Sequence, residues 1–477
     1  MSTSHGMSSA DAAWLHMDRP TNLMVINSVL WFDEPVDWDR YAAVVRERLV
    51  ERFDRFRQRP AEGPLGPHWE DAELDLELHL HHVALPAPGD RTALQAFVSD
   101  RIATPLDRSR PLWEAYLIDG FGDGAAVLTR MHHCIADGIA LARVMLALTD
   151  GGPAEPEGFS GSSGGGLPLG TLARAAGALT HEAVAAVRHP RHAVAGAVED
   201  AATLAKLLLP GADPRSSIKG DQRISHHVGW SEPLDLRRVK RAARALGATV
   251  NDVLVSAVTG ALADHLRASG DVPDEVHALV PINLRPLDEP LPRELGNRFG
   301  LVLLGLPVGV ADPVARTIEV KRRMDAIKHG HEGPISYGIL ELMGRTPAAV
   351  EGRLIDFFSA KGSMVLTNVP GPRRRLSVAG TPLGGVLVWA PCSGSIGMSI
   401  SIFSYAGKVT VGFLTDAGLV PDPQALADAA RAEVLTLPRS WSSSEALDLL
   451  DPRDPPVGGE LRSRCGGCPD GGGPGRA

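Results

Sequence analysis

Apolar residues recur along this chain in two rhythms. Runs of β-branched and aromatic residues bounded by turn formers predict strands at 24–32 (MVINSVLWF), 125–131, 276–282, 301–308, 363–367, 386–389, 396–403 and 408–414. Segment 74–80 (LDLELHL) alternates strictly and predicts a half-exposed strand. Helical spacing marks 38–52, where Tyr41, Val44, Val45 and Leu49 share one face. The same spacing marks 91–103, 234–246, 250–269, 313–328 and 421–435. The stretch 376–407 carries no charge, but Gly380, Pro382, Gly384, Gly385 and Pro391 interrupt it, so it reads as buried strands joined by turns. No run of 18 apolar residues occurs, and no transmembrane helix is predicted.

These patterns divide the chain. Residues 1–150 mix strands and helices. Residues 151–166 (GGPAEPEGFSGSSGGG) have linker composition, and 167–209 are Ala-rich with helical spacing interrupted at Pro190. This segment reads as a connecting helical pair, or as an amphipathic surface for lipid; its few basic residues favour the first. The expected units are therefore 1–150, a connecting region 151–220, a second lobe 221–450, and a Pro/Gly-rich tail 451–477 expected to be disordered. Strands and helices mix similarly in both halves, which predicts an α/β (α+β) fold of two related lobes.

Charge and cysteine content narrow the function classes. Lys+Arg total 48 against 57 Asp+Glu, and the net charge of −9 disfavours bulk nucleic-acid binding. Of four cysteines, Cys134 and Cys392 sit in apolar runs. Cys465 and Cys468 form a lone CxxC without the second pair a zinc site needs. A reduced, cytoplasmic setting is expected. The N-terminus lacks the basic and apolar regions of a secretory signal.

The chemically informative segment is 130–138, RMHHCIADG. It follows a strand pattern and precedes a helical one. This places His132 and His133 at a strand end and Asp137 at a helix N-terminus. An imidazole so held is a natural general base near neutral pH. Plainer readings exist: Asp137 as a helix cap, Gly138 as a turn residue, the histidines as structural groups. His81-His82 and His226-His227 lack this context and read as ordinary. A metal site at His132, His133 and Asp137 would lack the HExxH frame, and none is expected.

The pattern HHxxxDG resembles the signature of the acyltransferase superfamily that includes chloramphenicol acetyltransferase, condensation domains and plant acyl-CoA-dependent acyltransferases. Four further segments look like motifs of the bacterial wax ester synthase/diacylglycerol acyltransferase family: 9–18 (SADAAWLHMD), Pro111-Leu112-Trp113, Asn251-Asp252 and Asn368-Val369-Pro370-Gly371-Pro372. Their order and spacing agree, and the resemblance spans 8–447. Thr367 stands where serine is commoner in the family, but the hydroxyl is kept.

The resemblance implies two chloramphenicol-acetyltransferase-like lobes, each a mixed sheet with flanking helices, and an active-site channel between them. It assigns the general base to His133 and a supporting role to His132. It implies that Asp137 pairs with an arginine that fixes the loop, and Arg285 is the candidate, in segment 280–286 (VPINLRP), which together with 296–299 (GNRF) resembles the second-lobe motifs of condensation domains. Gly138 would let the chain approach the channel closely. Asn251, Asp252, Asn368 and Trp113 are candidate substrate-binding residues, although Trp113 reads more simply as core and Asn251-Asp252 as a helix start. The Asn368 amide is a candidate oxyanion donor. Arg373, Arg374 and Arg375 read as a solvated basic face or as a site for coenzyme A phosphates. The expected reaction moves a long-chain acyl group from acyl-CoA to diacylglycerol or a fatty alcohol, with no cofactor because acyl-CoA is a substrate. An apolar acceptor implies work at a membrane or lipid-droplet surface. A carrier-bound acyl donor, or a non-catalytic lipid-binding role, are the alternatives.

Overall fold

The structure is a computed structural model that describes residues 5–64, 66–150, 211–283, 295–297, 299–328, 356–357 and 359–437. The linker 151–166, the segment 167–209, Arg285, Cys465, Cys468 and the tail 451–477 lie outside these residues.

Among the described residues, sixteen strands fall, in chain order, at β1 (His5–Gly6), β2 (Val25–Phe32), β3 (Gln58–Ala61), β4 (His68–Asp71), β5 (Leu80–Ala84), β6 (Trp113–Phe121), β7 (Gly124–His132), β8 (His226–Trp230), β9 (Leu234–Asp235), β10 (Val276–Asn283), β11 (Phe299–Leu306), β12 (Met364–Pro370), β13 (Ser377–Val378), β14 (Thr381–Trp389), β15 (Met398–Tyr405) and β16 (Lys408–Asp416). One sheet has the order β13-β14-β2-β7-β6-β5. A second has the order β11-β10-β12-β15-β16-β8, with β9 also on β16. A small third sheet is β1-β4-β3. Both large sheets mix parallel and antiparallel pairs, such as β5 with β6 and β12 with β15 for the parallel ones.

The central strand of the first sheet explains its own sequence. β7 is buried at every position, so residues 125–128 are apolar without alternation, and Thr129 and Arg130 are buried beside them. Its last residue is His132, so the sheet's most enclosed strand delivers the histidines.

The sheets are stitched together by β14. It lies late in the chain yet pairs antiparallel with β2, with Leu387 opposite Val29. Its Trp389 is fully buried against β16, where a Cβ on Gly412 would come within 3.0 Å of the indole ring. The strand is longer than the expected 386–389 because its glycines serve packing. A Cβ on Gly385 would sit 1.9 Å from the Trp31 ring, and a register shift at Leu383/Gly385 absorbs the crowding.

Segment 74–80 departs from expectation. Asp75 accepts a hydrogen bond from the Glu77 N–H at 3.1 Å and turns Leu76–Leu78 into a short 3-10 helix, so the strand starts only at Leu80. The basic helix also starts late, at Leu236–Ala245, because Asp235 caps the Arg237 N–H at 2.7 Å. The other expected helices are observed at Trp38–Val45, Arg91–Ile102, Val250–Ala268, Pro313–Lys328 and Pro423–Thr436.

Three of these helices are joined by one buried cation. Arg316 in Pro313–Lys328 is 1 % exposed. It donates to the Ser256 carbonyl at 3.2 Å and to the Val310 and Ala311 carbonyls at 3.1 Å, and it pairs with Glu433 of Pro423–Thr436. Gly260 makes room, since a Cβ there would meet the Arg316 guanidinium at 2.5 Å. Arg316→Met is expected to lower the unfolding free energy by about 3 kcal/mol, because Glu433 and three carbonyls lose their partner. A urea midpoint within error of wild type would contradict this role.

Candidate active site

The backbone around the two histidines is pinned from both flanks. The His132 N–H donates to the Leu112 carbonyl at 2.9 Å, and the His133 N–H donates to the Met24 carbonyl at 2.7 Å. The chain then turns, with the Ile135 N–H on the His132 carbonyl at 3.0 Å. Asp137 caps the helix Gly138–Ala147, accepting from the Ala140 N–H at 2.8 Å. It is buried. Its expected partner, Arg285, lies outside the described residues.

His133 sits in an aromatic slot. Trp14 stacks on its imidazole at 3.9 Å between ring centroids and 22° between planes. Phe299 closes the slot at 5.5 Å, tilted by 47°. The residue is 5 % exposed. Burial drives its pKa down to about 3, only partly opposed by its own backbone carbonyl, so the ring is neutral at physiological pH. The His133 carbonyl is held in turn. The Asn297 amide donates to it at 2.8 Å, and Asp11 accepts from the Asn297 backbone N–H at 3.0 Å and side chain at 2.7 Å. Burial of Asp11 raises its carboxyl pKa despite these bonds.

His132 has a defined tautomer. Its Nδ1 accepts from the Cys134 backbone N–H at 3.2 Å, so the ring proton is on Nε2. That atom lies 3.7 Å from Asp18 Oδ2. Asp18 also accepts from the Met24 N–H at 2.8 Å and from Arg108 at 3.2 Å. Burial pushes its carboxyl up, but His132, Met24 and Arg108 together hold it below the ordinary range. Burial drives the Cys134 thiol far up, which disfavours the thiolate and a nucleophilic role.

The remaining candidates occupy different surroundings. Asn251 and Asn368 meet, with a hydrogen bond of 2.5 Å from the Asn368 amide to Asn251 Oδ1. The Asn368 amide is thus partly committed, and it lies within β12 instead of beyond a shorter strand. Among the described residues, no hydrogen bond or ring contact joins this pair to His133. Asp252 is buried in a reciprocal capping box with Thr249. Trp113 is fully buried in the first sheet's core, its indole N–H on the Phe56 carbonyl at 3.0 Å and its ring stacked on His79. Gly138 faces open space: a Cβ there would meet nothing within 4 Å. Arg375 is engaged by Asp33 and by the Leu383 carbonyl at 3.1 Å.

Five neighbours of the histidines carry no role in the sequence reading: Asp11, Trp14, Asp18, Asn297 and Phe299. For the first three, the available signal was the 9–18 motif, with Asp11 inside the helix Ser9–His16 and Asp18 just after it. Asn297 and Phe299 lie in the 296–299 segment that resembles a second-lobe condensation-domain motif, but their contact with His133 comes only from the fold.

Comparison with known proteins places the chain. The wax ester synthase/diacylglycerol acyltransferase catalytic domain matches residues 7–254, and the WS/DGAT C-terminal domain matches residues 295–437. The probable diacylglycerol O-acyltransferase tgs1 of Mycobacterium tuberculosis is 30% identical over 446 residues, covering 88% of this chain and 93% of that protein. A second relative from that organism, Rv1760, named a diacylglycerol O-acyltransferase, is 28% identical over 451 residues, with 88% of each chain covered. The fold is similar to that of the wax ester synthase/diacylglycerol acyltransferase from Marinobacter aquaeolei VT8, at a TM-score of 0.66 and 22% identity, over 91% of this chain and 98% of that one. It is also similar to the first condensation domain of the calcium-dependent antibiotic synthetase, at a TM-score of 0.57 and 19% identity, over 95% and 97% of the two chains. The two-lobed fold, the HHxxxDG segment and these relationships together show that the chain belongs to the wax ester synthase/diacylglycerol acyltransferase family of acyl-CoA-dependent O-acyltransferases.

Proposed function

We propose that this enzyme transfers a long-chain acyl group from acyl-CoA to diacylglycerol, to a fatty alcohol, or to both, with His133 as the general base. The observation that carries this reading is the neutral, desolvated His133 imidazole, stacked on Trp14 at the end of β7. A neutral imidazole is ready to take the proton from an alcohol O–H as its oxygen attacks the thioester carbonyl. The tetrahedral intermediate collapses with cleavage of the C–S bond, and the coenzyme A thiolate recovers the proton from the imidazolium. No covalent enzyme intermediate is required, and no cofactor takes part. In a site that excludes water, the imidazolium forms only while the oxyanion balances it.

The acceptors are apolar, so the enzyme is expected to meet them peripherally, on the cytoplasmic face of a membrane or on a lipid droplet. Among the described residues, no single helix is long and apolar enough to cross a membrane.

Thiol release from palmitoyl-CoA tests the reading, with diacylglycerol or hexadecanol as acceptor. Acceptor-dependent release is expected from wild type, and His133→Ala should lose about a hundred- to ten-thousandfold in kcat. Undiminished turnover in that variant would overturn the role of His133. No release from folded wild type would favour a carrier-bound donor or a binding role.

Gly138 offers a second check. Gly138→Ala places a methyl group in open space at a helix start, and stability should stay level or rise by up to about 1 kcal/mol. If substrate fills that space, kcat/KM falls while the melting temperature does not. Unchanged kcat/KM would place the substrate elsewhere.

Burial of His133 also sets a pH dependence. Its folded-state pKa, about 3, lies below the ordinary 6.5, so between these values the unfolded chain binds the proton and the folded chain does not. Stability should therefore fall as pH drops from 6.5 toward 3. His133→Asn should flatten that slope by up to about 1.4 kcal/mol per pH unit. Identical slopes in urea titrations of the two proteins would contradict the neutral, buried state.

A further inference from the structure

Asp18 is the one carboxylate within ion-pairing distance of His132 among the described residues, and the reaction as drawn does not use it. Its side chain is held by contacts that do not depend on His132. Oδ1 accepts from the Met24 N–H, whose own carbonyl receives the His133 N–H. Oδ2 accepts from Arg108, which also donates to the Leu15 carbonyl at 3.0 Å. The carboxylate is therefore fixed before any substrate arrives.

On the other side of the ring the Cys134 N–H is an obligatory donor, and Nδ1 receives it. The opposite tautomer would set a ring N–H against that amide and a bare lone pair against the Asp18 carboxylate, so both faces would repel. The Nε2 atom is buried without a hydrogen-bond partner, and among the described residues the Asp18 carboxylate, 3.7 Å away, is the one acidic group within ion-pairing reach of it.

We propose that Asp18 is a positioning residue for acyl transfer: its carboxylate holds His132 in the Nε2–H form and so preserves the His132–Cys134 turn that presents His133. This rests on His133 acting as the general base. Nothing passes from Asp18 to substrate. Its effect runs through a ring tautomer, a backbone hydrogen bond and the orientation of the next residue, as outer carboxylates do for other functional histidines.

The test is a double-mutant cycle on acceptor-dependent release from palmitoyl-CoA, using Asp18→Asn, His132→Asn and both together. The His132→Asn side chain offers Cys134 an amide oxygen and has no tautomer to set. Asp18→Asn alone is expected to lower kcat about 10- to 100-fold with little change in KM for palmitoyl-CoA. In the His132→Asn background the same change should alter kcat by less than about twofold. In spectra of 15N-histidine-labelled protein, the His132 proton should move from Nε2 to Nδ1 in Asp18→Asn and stay on Nε2 in Asp18→Glu. Equal losses in both backgrounds, an unaltered tautomer in Asp18→Asn, or an unaffected kcat would each overturn the proposal. If Asp18→Asn does not fold, a Nδ1–H ring in wild type or in Asp18→Glu overturns it as well. If His133→Ala retains wild-type turnover, the general-base reading fails instead, whatever the cycle shows.

Discussion

Removing the His133 imidazole from water is the constraint on which the site depends. Stacking on Trp14 and closure by Phe299 expel solvent from the ring and hold it neutral. In the proposed role, such a base is weak in its resting state, but it is not lost to protonation between pH 5 and 8. Burial also strengthens each electrostatic interaction at the moment charge develops. In the proposed reaction, the same enclosure would keep water from the activated thioester. An enzyme that must pass its acyl group to an alcohol and not to water gains selectivity this way.

The enclosure is assembled from distant parts of the chain. β7 ends in His132 and leads directly into His133, and the N-terminal segment supplies Asp11, Trp14, Asp18 and the Met24 carbonyl. Asn297 and Phe299 arrive from the second sheet's entry into β11. Each lobe's contribution is useless without the other, so the two sheets must be held in fixed relation. β14 does this by pairing with β2 on one edge and packing Trp389 on β16 with its side chains. Trp31, Trp230 and Trp389 continue that seam as a chain of ring contacts.

Local features of this arrangement were legible in the sequence. An apolar run at 125–128 shortly before two histidines, followed by Asp and Gly and a helical pattern, placed the motif at the end of β7 and Asp137 at a cap. Those inferences need only nearest-neighbour chemistry. The partners of the histidines were not legible, because nothing in periodicity tells Asp11 that it will bond Asn297 across 286 residues. Segment 74–80 misled for a local reason, since Asp75 captures a backbone N–H that a strand would need. The true length of β14 was hidden by glycines that signal turns in isolation but admit the Trp31 ring in the fold.

The central claim is a protonation state, and it can be observed directly. Nitrogen chemical shifts of the histidine rings, followed from pH 8 to pH 5 with His133→Asn to assign the resonance, report each imidazole separately. The account predicts that the His133 signal keeps its neutral shifts down to pH 5, far below the ordinary midpoint of 6.5. A His133 ring that titrates near 6.5 would contradict it, because the ring would then be solvated and its aromatic enclosure would not govern the chemistry.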